Sequence, residues 1–107
     1  MGLQLFRVVV RGRFDGLADE DRERLRAAAA DHDVTVSAFT RDGTLTYDHF
    51  LYAFNTRFEL RANGSPAENE AEVTAAALVR TDELLAALGV RGREHRVTVT
   101  DMASIWS

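Results

Sequence analysis

From Leu5 to Phe14, in "LFRVVVRGRF", apolar and polar positions alternate. Phe6, Val8, Val10, Gly12 and Phe14 share one side, and Arg7, Val9, Arg11 and Arg13 share the other. A period of two predicts a strand. The spacing changes at residues 19 to 32, "DEDRERLRAAAADH". Leu25, Ala28, Ala29 and His32 form a thin stripe at helical spacing, behind the acids Asp19, Glu20 and Asp21. Acids in a first turn suit the positive end of a helix, with Asp19 as N-cap or Ala18 as an uncapped start. Residues 34 to 47, "VTVSAFTRDGTLTY", return to strand character around Asp42-Gly43. That dipeptide predicts a hairpin, or else one long strand bulged at Gly43. Residues 51 to 62, "LYAFNTRFELRA", alternate again. Phe54, Thr56, Phe58 and Leu60 face one way, and Asn55, Arg57, Glu59 and Arg61 the other.

A second helix start is plain in "GSPAENEAEV": Ser65 as N-cap, Pro66 at the first helical position and Glu68 three residues after the cap. The helix is expected to run to Leu88, to stop at Gly89, and to bury Ala71, Ala75, Leu78, Leu85 and Leu88. Residues 94 to 101 form the last strand, with Val97 and Val99 inward and Arg96, Thr98 and Thr100 outward, before a tail ending in Ile105-Trp106. The order β-α-β-(β)-β-α-β implies one α+β domain over residues 1–107. Its expected layout is the ferredoxin-like split βαβ, an antiparallel sheet with both helices on one face and the first and third strands central.

That layout leaves the other sheet face open, or covered by a partner. It carries Arg7, Val9, Arg11, Asn55, Arg57, Glu59, Arg61, Arg96, Thr98 and Thr100, an excess of positive charge. The alternatives are a solvated face of weak cross-strand ion pairs, a homodimer with two sheets face to face, and an RNA platform. The outward strand positions hold no aromatic for base stacking. The formal net charge of −4 also argues against binding to many phosphates. No apolar run approaches the length of a membrane span, and no signal peptide is evident, so a cytoplasmic protein without a membrane partner is expected.

The 107 residues include no cysteine, and all 13 basic residues are arginine. Thiol nucleophiles, disulfides and lysine Schiff bases are therefore excluded. His32, His49 and His95 lack metal-ligand spacing, so no metal and no cofactor is expected. Tyr47-Asp48-His49 sits in a loop, where acid, base and phenol together suit proton transfer. His95 and Asp101 point to the same face of the last strand, but about 20 Å apart along an extended chain, too far to form a dyad.

"VRGRFDG" and "FTRDGTLT" resemble the first-strand and hairpin segments of acylphosphatases, which share the ferredoxin-like fold. The resemblance implies phosphate binding by loop amides and an arginine, with an asparagine orienting water. Here Gly16 is followed by Leu17-Ala18-Asp19, and no asparagine stands near Phe39-Thr40. A fuller resemblance, carried by "RVVVRGRFDGL", "GTLTYD", "FNTRFEL" and "TDMASIW", is to a family of small actinobacterial proteins of unknown function. It implies a ferredoxin-like domain and carries no activity.

The resulting functional reading is a homodimer that binds a small anionic or oxygen-rich ligand on its sheet face. Arg7, Arg11, Arg57 and Arg96 line the cleft, and the Trp106 tail closes it. A cofactor-free proton-transfer or cyclisation step of specialised metabolism would use Tyr47, His49 or Asp101. The competing readings are a non-catalytic dimerising or regulatory module and an acylphosphatase-like hydrolase.

Overall fold

The structure, a computed structural model, describes residues 4–33, 35 and 37–103. The elements are β1 (Gln4–Asp15), α1 (Asp19–Ala27), a 3₁₀ turn (Ala29–His32), β2 (Thr44–Tyr47), β3 (Ala53–Ala62), α2 (Pro66–Ala87) and β4 (Arg91–Asp101). The four strands form one sheet in the order β2-β3-β1-β4. All neighbouring pairs are antiparallel. β1 and β2 therefore run parallel, with β3 between them. The tail from residue 104 on, with Trp106, lies outside the described residues.

The alternation in β1 works as its sequence implies. Phe6, Val8, Val10 and Phe14 are buried, and Arg7, Arg11 and Arg13 are exposed. Phe6, Val8 and Val10 join Phe58 and Ala62 of β3 and Val73 and Ala77 of α2 in one core cluster. A second cluster gathers Phe14, Leu25, Leu45, Leu51, Phe54, Leu85 and Val90. Full burial of each such Val, Leu or Phe side chain contributes about 1.5–3 kcal/mol. Gly12 lets the Phe54 ring lie against the sheet: a Cβ there would stand 2.6 Å from Phe54 Cζ.

α1 starts at Ala18 without a side-chain cap. The Asp21 carboxylate takes the Ala18 N–H instead, at 2.9 Å. The helix ends at Ala27, five residues short of the expected end. Only Leu25 of the four-residue stripe is buried, so little apolar packing sustains another α-turn. The chain tightens into the 3₁₀ turn, and His32 Nδ1 bonds the Leu45 carbonyl at 2.9 Å. His32 also lies against the Tyr47 ring, a packing role.

Among the described residues of 34–47, neither the hairpin nor the single bulged strand forms. The strand described there is Thr44–Tyr47, and Thr40 makes an isolated parallel bridge to Phe58. Local polar bonds hold the segment before β2. Thr44 Oγ1 donates to the Ala38 carbonyl and accepts the Ala38 N–H, while Thr40 Oγ1 accepts the Gly43 N–H. Such side-chain bonds compete with a strand ladder. Gly43, at φ 89°, closes this turn against the Phe58 ring, which a Cβ would meet at 2.2 Å.

α2 begins on its full capping box, as the sequence implies. Its buried stripe differs: Asn69, Val73, Ala77, Thr81 and Leu85 are inward, while Ala71 and Ala75 are exposed. Two polar residues take core positions because each finds partners there. Asn69 Oδ1 accepts the Gly64 N–H and its amide donates to Gln4. The Thr81 hydroxyl donates to the Ala77 carbonyl and meets the Thr56 hydroxyl at 2.8 Å.

Candidate functional site

Register organises the open face into rows. Arg11 stands opposite Asn55 on β3 and opposite Arg96 on β4, and Asn55 stands opposite Thr46 on β2. Thr46, Asn55, Arg11 and Arg96 thus form one row across all four strands, about 14 Å long at ordinary strand spacing. Facing arginines are mutually destabilising unless an anion lies near. Among the described residues, neither Arg11 nor Arg96 has a carboxylate within ion-pair distance.

The other two arginines of the expected cleft are differently placed. Arg7 pairs with Glu59 at 3.5 Å, and its guanidinium lies 4.8 Å from the Phe39 ring centre. Arg57 takes the same ring at 5.5 Å and donates to Ser37 Oγ at 3.1 Å. Phe39 thus sits over the open face between two arginines, each contact favourable by cation–π attraction. An aromatic does reach this face, from a loop rather than from a strand. The strand pattern missed it because Phe39 lies in the stretch assigned to a hairpin arm. Arg7 and Arg57 are therefore engaged, and Arg11 and Arg96 are not.

Beyond the row, one residue is inserted in β4: Arg11 faces Arg96, but Arg13 faces Arg93. The bulge turns Glu94 to φ 57°, and its carboxylate reaches Arg13 at 3.2 Å. Arg13 also stacks on Tyr52 at 4.7 Å. These residues, with Arg11 and Arg96, line a groove of about 680 Å³. A second groove of about 540 Å³ adjoins it at Ala53 and is lined by Thr46, Tyr47, Asp48, His49 and Asn55 among others. The buried Asn55 Oδ1 has no hydrogen-bond partner.

Backbone strain concentrates at the same place. Among the described residues, Leu51 and Glu94 are the two non-glycines with positive φ, and each borders one of these grooves. Such strain costs about 1–3 kcal/mol per residue and gathers at functional sites. Leu51 tolerates it because its side chain is buried and its N–H is held by Asp48 Oδ1 at 2.9 Å. The loop in exchange presents Phe50 and Tyr52 to solvent, 74% and 57% exposed.

The three expected acid–base residues are not brought together. Tyr47 lines the second groove, but its hydroxyl donates to the Leu25 carbonyl. Burial, and then the nearby Asp31 charge, push its pKa above the ordinary phenol value, so the proton stays on. His49 is exposed in the same groove, its ring 4.1 Å from that of Phe50. Asp101 faces Phe6 at the far end of β1, whereas Tyr47 faces Phe54, which faces Gly12. Six residues of extended strand put Asp101 about 20 Å away. Its carboxylate accepts the Ala103 N–H.

Among the described residues, no helix is long and apolar enough to cross a membrane. A family model described as "Family of unknown function (DUF6204)" matches residues 1–106. No curated protein and no solved structure matches the chain.

Proposed function

The chain belongs to that family, and from its own geometry we propose that it binds a small anionic or oxygen-rich ligand at the Arg11–Arg96 end of the open sheet face. The carrying observation is the facing pair Arg11 and Arg96, without a carboxylate partner, on the wall of a groove. An anion between them relieves their repulsion and gains charge-assisted hydrogen bonds. The Thr46 hydroxyl and Asn55 amide extend the row toward further ligand oxygens. Strain at Leu51 and Glu94 supports the same location. The strand order, with β1 parallel to β2 and β3 between them, supports the ferredoxin-like reading of the fold.

Binding is the primary role in this reading. A proton-transfer step on the bound ligand would rest on His49 and Asp48 at the Thr46–Asn55 end. Tyr47 holds its proton toward Leu25, and Asp101 belongs to the other end of the sheet.

Isothermal titration with citrate and with inorganic phosphate at low salt tests the proposal. Removing one arginine from a charge-assisted contact costs about 1.5–3 kcal/mol, or about 10- to 150-fold in affinity. Arg11→Ala and Arg96→Ala are each expected to show that loss, and Arg7→Ala much less. Equal losses in all three variants would mean a diffuse electrostatic effect and no site. Absence of binding to any small anion would favour the non-catalytic module.

A further inference from the structure

The sheet has one long unpaired edge. β4 runs 11 residues at the end of the strand order, and no strand among the described residues pairs with its outer side. The opposite edge, β2, is only four residues long. An exposed edge is a template for another strand unless it is blunted by proline, charged side chains or a bulge. The bulge of β4 lies at Glu94, and beyond it "HRVTVTD" (residues 95 to 101) contains no proline and, from Val97 to Thr100, no charged side chain.

We propose that a second copy of this chain adds to that edge, β4 against β4 in antiparallel register about a twofold axis at Thr98. That register places Val97 against the second copy's Val99, Arg96 against Thr100, and His95 against Asp101. Apolar meets apolar, and an imidazole meets a carboxylate. A register centred one residue later would set Val97 against Asp101, and one centred one residue earlier would set His95 against Val99. Val97 and Val99 are only half-buried within one chain, and a neighbouring strand completes their cover.

The flank of α2 supplies an independent observation. Ala71, Ala75, Val79 and Ala86 are exposed along one stripe of the helix, Val79 at 60%. Asp82 belongs to that stripe, and its carboxylate lies 3.5 Å from His95 Nε2 on β4. The small apolar stripe therefore borders the unpaired edge. A twofold at Thr98 brings two such stripes side by side, each burying the other. Isologous contact of this kind needs a self-complementary surface, which both the strand and the stripe provide. The arginine-rich outer face supports the opposite conclusion for itself: pressed face to face, two copies would juxtapose like charges. Edge pairing leaves the groove at Thr46 and Asn55 away from the interface and sets the second copy beside the Arg96 wall of the other groove.

The absence of cysteine from the chain permits a clean test. Facing residues of an antiparallel pair have Cα atoms about 4.5–5.5 Å apart, within the range a disulfide spans, about 4.4–6.8 Å. Wild-type protein is expected to sediment as a dimer at equilibrium in the micromolar range. Thr98→Cys is expected to form a covalent dimer on mild oxidation. Thr100→Cys, whose copies would lie about 13 Å apart, and Arg57→Cys on the outer face are expected not to. Val79→Glu, on an exposed helix position that leaves folding intact by circular dichroism, is expected to shift the equilibrium toward monomer. A wild-type monomer throughout that range overturns the proposal. So does crosslinking through Arg57→Cys, or crosslinking equally efficient at positions 98 and 100.

Discussion

The hydroxyl pair Thr56–Thr81 joins β3 to α2 between the two core clusters, and both residues are fully buried. Thr81 donates to the Ala77 carbonyl at 2.7 Å, so the bond between the hydroxyls is donated by Thr56 to Thr81 Oγ1. Thr81→Val keeps the shape and removes that acceptor. The Thr56 hydroxyl is left with the Val10 carbonyl at 3.5 Å, beyond good hydrogen-bond length. A buried hydroxyl without a partner costs about 1–3 kcal/mol. Thr56→Val removes the donor instead. Thr81 keeps its bond to Ala77, and the loss is about 0.5–1.5 kcal/mol. In the double variant no hydroxyl remains to be satisfied, so its stability should return toward wild type. Urea unfolding of the four proteins, with thermal melts as a check, measures the cycle. The expected shift is about 4–8 °C in Tm per kcal/mol for a domain of this size. A Thr81→Val protein as stable as wild type would refute this reasoning. So would a double variant whose loss equals the sum of the single losses.

Other consequences are checked in the same way. Gly43→Ala forces a Cβ to within 2.2 Å of the Phe58 ring at φ 89°, and overpacking of this kind should cost about 1–3 kcal/mol or more by chemical denaturation. Ser65→Ala removes the hydroxyl that accepts the Glu68 N–H, and should cost about 1 kcal/mol. Asp21 is held below the usual carboxylate pKa by the Ala18 N–H and then by Arg24, and Asp33 by the Thr35 N–H. Folded values below the unfolded ones mean that their contribution is present above about pH 4 and is lost as pH falls further. Asp21→Asn should flatten that acid limb in a stability–pH series. The raised Tyr47 pKa works in the other direction. Its contribution is full below about pH 10 and lost as pH rises through the folded value, and Tyr47→Phe should remove that alkaline loss.

The parts of the fold readable from sequence are those where a single pattern decides the outcome. β1 and β3 alternate because one face is packed and the other is not. The start of α2 is written in Ser65, Pro66 and Glu68. The parts that were not readable depend on contacts between distant segments. Asn69 and Thr81 enter the core because Gln4, Gly64 and Thr56 supply their partners, which no helical pattern displays. The hairpin expected at Asp42-Gly43 gives way to bonds from Thr40 and Thr44 side chains.

The site divides similarly. That arginines crowd the open face follows from parity alone. That Phe39 engages Arg7 and Arg57, while Arg11 and Arg96 face each other unpartnered, follows from loop placement and strand register. Glu94 and Leu51 carry no sequence signal for positive φ. Thr46 and Asn55 acquire meaning only when the register sets them in line with the two arginines.

The central claim is that the Arg11–Arg96 pair holds an anion, and its most direct measurement is a two-dimensional NMR titration of the labelled protein with citrate at low salt. Saturable shifts are predicted at Arg11 and Arg96, extending along the row to Asn55 and Thr46, and they should vanish in Arg11→Ala. Shifts that never saturate, or that gather around Arg7 and Arg57 and persist in Arg11→Ala, would contradict it.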